Sequence, residues 1–166
     1  MTDVLLASPH PAPHVSLLSS NDVDAVVVPS VLLGAVEVPR SELFTLPVGI
    51  FGFEHCRTFA LVPSGREGLW WLQSTEREAL VFLLADPFRF FPGYEVSVGP
   101  ADLAHLGADE RTTLMALAVV TLPRTVEEAP SANLRAPVLL DVQRRVGRQV
   151  VLTDERYAVR TPIALD

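Results

Sequence analysis

The sequence predicts an all-β protein, a small antiparallel β-barrel-like single domain with at most one or two short helices. Short runs rich in β-branched and aromatic residues recur along the chain, and Gly, Pro, Asn and Asp break them at close intervals. Long helical patterns do not alternate with these runs, so nothing supplies the crossovers that a parallel sheet requires. With 166 residues the chain fits one domain, and folding can bury roughly 70% of the surface that its unfolded form exposes.

Residues 1–22 mix Pro9, Pro11 and Pro13 with His10, His14 and a Ser19-Ser20-Asn21 cluster, which predicts a flexible N-terminal extension. The barrel domain is expected over residues 23–166. Strands are expected at 25–28, 32–38, 44–48, 58–62, 69–73, 80–85, 94–98, 113–122, 137–142, 149–152 and 157–161. One helix is expected over Pro100–Leu106, where proline suits a first turn and Leu103 and Leu106 lie three apart. Phe88, Phe90 and Tyr94 fall around Pro87 and Pro92, a pattern that predicts an edge or loop segment. Near the C-terminus two apolar runs flank QRRVGR, and Gly147 is read there as the positive-φ residue of a hairpin turn.

Composition narrows the function. A formal net charge of -7 opposes direct nucleic-acid binding, because that binding relies on Lys and Arg displacing condensed counterions. A basic partner protein would be attracted instead. No apolar run approaches the roughly 20 residues that cross a bilayer, so no membrane segment is expected. The first positive residue is Arg40, which leaves the short N-terminal apolar run without the basic region of a signal peptide. A cytoplasmic location is the resulting expectation. Cys56 is the only cysteine, so neither an intramolecular disulfide nor a thiolate metal cluster can form.

The residues that could carry catalysis do not assemble in the sequence. There is no G-x-S-x-G elbow for a nucleophilic serine, and His55 and Cys56, as strand neighbours, would point to opposite faces. His10 and His14 have a metal-like spacing, but Pro11 and Pro13 oppose the helix that would put both rings on one face. The glycines of GIFGF at 49–53 lead into neither a P-loop lysine nor a helix, and they read as a tight turn with Phe53 as an anchor. No enzyme activity, cofactor or metal is expected.

The aromatics remain. Trp70 and Trp71 are adjacent, and in a strand one must face away from the other, so one belongs to the core and the other needs a different explanation. Partner capture by a sheet edge and adjacent loops is expected, with Trp70 or Trp71, Phe53, Phe88 and Tyr94 as anchors. Gln73, Asp86 and Asn133 are the polar contacts or turn-formers of that surface. The rival expectation is a small ligand-binding barrel or enzyme whose aromatics line an interior cavity.

Five blocks in order resemble the flagellar assembly factor FliW family. LPVGIFGFE at 46–54 is similar to its G-[IL]-P-G-F-E signature, WLQS at 71–74 to its W-L-Q-S segment, and ADPFRFFPGYE at 85–95 to its D-P-x-x-F-x-x-x-Y-E segment. ANLRAPVLLDVQRRVGRQVVL at 132–152 resembles its N-L-x-A-P-[IV] block and Q-V-[IV]-L strand, and RYAVRTPI its terminal Y-x-x-R strand. Phe51 departs from the pattern, which has proline there; Asp141 stands where asparagine is usual, and Gly68-Leu69 where Pro-Phe is common. The resemblance implies a non-enzymatic, barrel-like protein that binds flagellin and the translational regulator CsrA. Accumulated flagellin would then hold it and free CsrA to repress flagellin translation, and once flagellin is secreted the protein would antagonise CsrA, coupling the flagellin level to flagellin translation.

Overall fold

The structure, a computed structural model, describes residues 3–7 and 24–165. Among these residues the chain forms β1 (Val4–Leu6), β2 (Ala25–Ser30), β3 (Gly34–Pro39), β4 (Phe44–Thr45), β5 (Thr58–Pro63), β6 (Leu69–Ser74) and β7 (Val81–Ala85). There follow α1 (Pro87–Phe90), β8 (Val96–Val98), α2 (Pro100–Leu106), β9 (Leu114–Thr121), β10 (Ser131–Ala132), β11 (Val138–Asp141), β12 (Val146–Gln149) and β13 (Thr161–Pro162). Strands β11, β12, β4, β5, β6, β7 and β9 pair in that order, and β9 pairs again with β11, closing a seven-stranded barrel. The all-β expectation holds. One pairing in the ring is parallel, Val146 of β12 with Thr45 of β4; the rest are antiparallel.

Strand alternation sorts the apolar residues into an inside and an outside. Phe44, Leu46, Phe59, Leu61, Trp70, Leu72, Leu84, Met115, Leu117, Val138 and Leu140 point inward and fill the barrel. Large side chains fully removed from water, such as Phe44, Phe59 and Leu72, leave the interior a packed core rather than a cavity. The outer face is also covered. Leu83, Ala85, Ala116, Ala118, Val120 and Leu139 meet α1, β8, α2 and the C-terminal segment in a second apolar layer. The antiparallel hairpin β2–β3 lays Val28 and Val38 against Ala60 in a third. β9 is therefore sandwiched on both faces, which is why its LMALAVVT run is nearly continuous in apolar residues.

Several local expectations are corrected. Residues 87–90 form a helix instead of an edge: Pro87 occupies the first turn and Asp86 caps it, accepting from the Phe88 amide at 3.0 Å. Gly147 lies within β12, and the turn's positive φ belongs to Arg145, at 58°. What Gly147 provides is space, since a Cβ there would stand 2.5 Å from Leu140 Cδ2 and 3.1 Å from the Leu139 carbonyl. The last strand is short, β13, and Tyr157 precedes it outside any strand. The helix over Pro100–Leu106 is as expected, ending at Gly107 with φ 64°. Of the expected extension, residues 4–6 form β1, paired antiparallel to β8. His10, His14 and the rest of that extension, 8–22, lie outside the described residues.

Candidate protein-binding surface

The residues proposed as anchors separate by depth. Trp70 points into the barrel and is 4% exposed, whereas Trp71 stands half-buried on the outer layer. Phe88 and Tyr94 are buried together within that layer, their ring centroids 5.5 Å apart. The Tyr94 hydroxyl donates to the Leu134 carbonyl at 2.7 Å, and its ring meets Tyr157 edge-on at 4.6 Å. Burial, with a smaller contribution from Tyr157, pushes the Tyr94 hydroxyl well above the usual tyrosine range. The Tyr157 hydroxyl accepts from the Glu95 amide at 3.0 Å. This pair therefore fixes where the segment ahead of β8 lies.

The polar residues hold turns. Gln73 is completely buried, and its Nε2 lies within 3.0–3.3 Å of the carbonyls of Ser74, Arg77, Glu78 and Leu80, which pins the β6–β7 connection. Asp86 is buried at the α1 cap. Asn133 is half-buried, and its Oδ1 accepts from the Arg135 and Ala136 amides at 3.2 and 3.0 Å, the turn role of an Asx residue. Five of the eight proposed residues, Trp70, Gln73, Asp86, Phe88 and Tyr94, thus lie within the protein, and Phe53, Trp71 and Asn133 reach its surface. Sequence spacing marks an aromatic, but only packing says which side of the wall it occupies.

One surface aromatic was not among the expected anchors. Phe51 is 51% exposed at the tip of the 46–53 loop, with Val48 exposed nearby in sequence. Gly49 gives the loop its shape: φ is 66°, and a Cβ would fall 2.6 Å from the Phe53 carbonyl. The loop closes with the Phe53 amide donating to the Ile50 carbonyl at 2.7 Å, and Phe53 packs edge-on against Phe82 at 5.4 Å. Gln149 on β12 ties the tip to the barrel, its Oε1 accepting from the Phe51 amide at 2.9 Å and its Nε2 donating to the Ala136 carbonyl at 3.0 Å. An exposed aromatic on a backbone held this way loses little freedom on binding. The sequence carried a signal for it in the phenylalanine that replaces proline between two glycines.

The hairpin turn at the opposite end of β12 is braced by charge. Asp141 Oδ1 accepts from the amides of Gln143 and Arg144, and its Oδ2 from Arg144 Nε at 2.8 Å. Burial pushes the Asp141 carboxyl up, but the Arg144 amide and guanidinium and the Gln143 amide outweigh it and hold the carboxyl below its ordinary value. Arg144 Nη2 also donates to the carbonyls of Leu106 and Gly107, placing a cation on the C-terminal end of α2.

The fold defines a class: a small closed β-barrel whose interior is filled with side chains. The family model for the FliW protein matches residues 28–163. The chain is 34% identical over 135 residues to a flagellar assembly factor FliW of Natranaerobius thermophilus, spanning 80% of this chain and 89% of that one. It is 35% identical over 129 residues to the flagellar assembly factor FliW of Thermotoga maritima, spanning 77% and 87%. A crystal structure of a flagellar assembly factor FliW superposes with a TM-score of 0.76 at 27% identity, covering 82% of this chain and 96% of that one. The chain belongs to the FliW family.

Proposed function

We propose that this chain is a cytoplasmic flagellar assembly factor that acts without catalysis, by stoichiometric binding of flagellin and of the translational regulator CsrA. Flagellin that accumulates would hold the protein and leave CsrA free to repress flagellin translation; flagellin that is exported would release it to antagonise CsrA. The observation that carries this reading is the match across nearly the whole barrel to proteins named flagellar assembly factors. Two physical features support it. The packed interior offers no room for a substrate, and the net charge of -7 suits a partner with a basic RNA-binding face.

Phe51, Phe53, Trp71 and Asn133 are the contacts we assign to the partner surface. Trp70, Gln73, Asp86, Phe88 and Tyr94 then serve it indirectly, by setting the strands and turns that present those contacts. Isothermal titration with flagellin and then with CsrA tests the reading. Near-stoichiometric heat and co-elution with flagellin are expected, and neither signal with either protein would sink it.

A further inference from the structure

The edge of β8 carries an unusual cover. Among the described residues β8 pairs with β1 alone, in the register Val4↔Val98, Leu5↔Ser97 and Leu6↔Val96. Alternation turns Val4 and Leu6 toward the outer apolar layer and leaves Leu5 59% exposed. Ser97 Oγ donates to Asp3 Oδ2 at 2.9 Å, fixing the register at one end. Yet β1 precedes the family match, which begins at residue 28, while β8 lies inside it. Residues 8–23 separate this strand from β2 in the sequence. The family barrel thus presents β8, and this chain's own N-terminal segment is laid upon it.

The attachment is weak by construction. Only three residues pair, and the two apolar side chains that face the outer layer are only partly buried. Without β1, the edge of β8 would offer a row of unpaired backbone donors and acceptors beside the apolar side chains of Val96 and Val98, a template for strand addition. We propose that the β8 edge is a strand-accepting site for an extended aliphatic segment of a partner protein, and that β1 is its built-in, displaceable occupant. The occupant shows what the site takes: a hydrogen-bond acceptor for Ser97, then aliphatic residues at alternating positions, as in Asp3-Val4-Leu5-Leu6. Firm location of the segment by Tyr94 and Tyr157 keeps that edge in place when β1 leaves.

A labelled peptide TDVLLA, titrated by fluorescence anisotropy, tests the edge directly. The full chain carrying Val4→Asp and Leu6→Asp cannot seat its own strand and is expected to bind the peptide, while the wild-type chain binds at least about tenfold more weakly, because a strand seated nine-tenths of the time reduces apparent affinity by that factor. A scrambled peptide should bind neither. A folded double variant that ignores the peptide, or equal binding by both chains, overturns the proposal. A second variant, Leu5→Cys with Ser97→Cys, joins directly opposed exposed residues; oxidised, it should refuse the peptide altogether, and reduced, it should bind it no more tightly than the wild-type chain. Oxidation to a covalent dimer would assign the edge to a second copy and overturn the proposal, as would peptide binding indifferent to oxidation. The inference holds whichever protein supplies the segment, so this peptide test and the flagellin titration above fail independently.

Discussion

Gln73 and Asp141 show how single buried polar groups hold this surface in shape. Four carbonyls converge on the Gln73 amide nitrogen, whose two hydrogens serve two of them at a time; those of Arg77, Glu78 and Leu80 also accept from the Leu80, Val31 and Ser74 amides, so Gln73→Ala removes two buried hydrogen bonds and opens a cavity. A loss of about 3 kcal/mol is expected in urea unfolding; a change within about 0.5 kcal/mol would show that the loop holds itself. Asp141 is testable by pH. Because its folded-state pKa is lowered, its stabilisation is fully present above the unfolded value of about 3.9 and is lost as pH falls through the lower folded value. Asp141→Asn keeps an acceptor for the turn amides but loses the ion pair with Arg144. The variant is expected to be less stable by about 1 kcal/mol at pH 7 and to converge with the wild type near pH 2; a deficit constant with pH would rule out the charge as the cause.

At the scale of elements, the β11–β12 hairpin depends on a missing side chain. Gly147 faces Leu140 across the pair, and Leu140 is buried completely in the barrel. Gly147→Ala must therefore displace Leu140 or spread the strands, at a cost of about 1–3 kcal/mol. Thermal unfolding of Gly147→Ala with and without Leu140→Val checks the cause: shortening Leu140 should recover part of the loss, and additive losses would place the strain elsewhere. The same hairpin carries Gln149, whose two hydrogen bonds join the Phe51 loop to the barrel. Strand, turn and the 46–53 loop are one mechanical unit.

Across the whole molecule, stability and binding should separate. The buried aromatics belong to two of the three apolar layers, while Phe51 projects from a loop already fixed. Phe51→Ala is therefore expected to change unfolding stability by less than about 0.5 kcal/mol and to weaken flagellin binding at least about tenfold, by calorimetry. Tyr94→Phe should do the reverse, losing about 1–2 kcal/mol of stability through the orphaned Leu134 carbonyl, with affinity retained by the fraction that is folded. Equal effects of the two variants on affinity would defeat the division between supporting and contacting aromatics.

The sequence by itself determined the all-β class, the helix over Pro100–Leu106 and the kinship of the barrel, because propensity, punctuation and motif order are local properties of the chain. It also required that Trp70 and Trp71 part company. Which of them turned inward was decided by closure of the sheet, as were the burial of Phe88, Gln73 and Tyr94 and the outward placement of Phe51. Closing seven strands into a ring gives every strand two faces, and here both are covered over much of the wall, so apolar character no longer marks one side as the core. Gly147 looked like a turn residue because glycine permits a positive φ; its use is to admit Leu140, a contact made across the strand pair. β1 was hidden for a related reason: three ordinary residues ahead of a proline-rich stretch become a strand only where the folded barrel offers an edge to receive them.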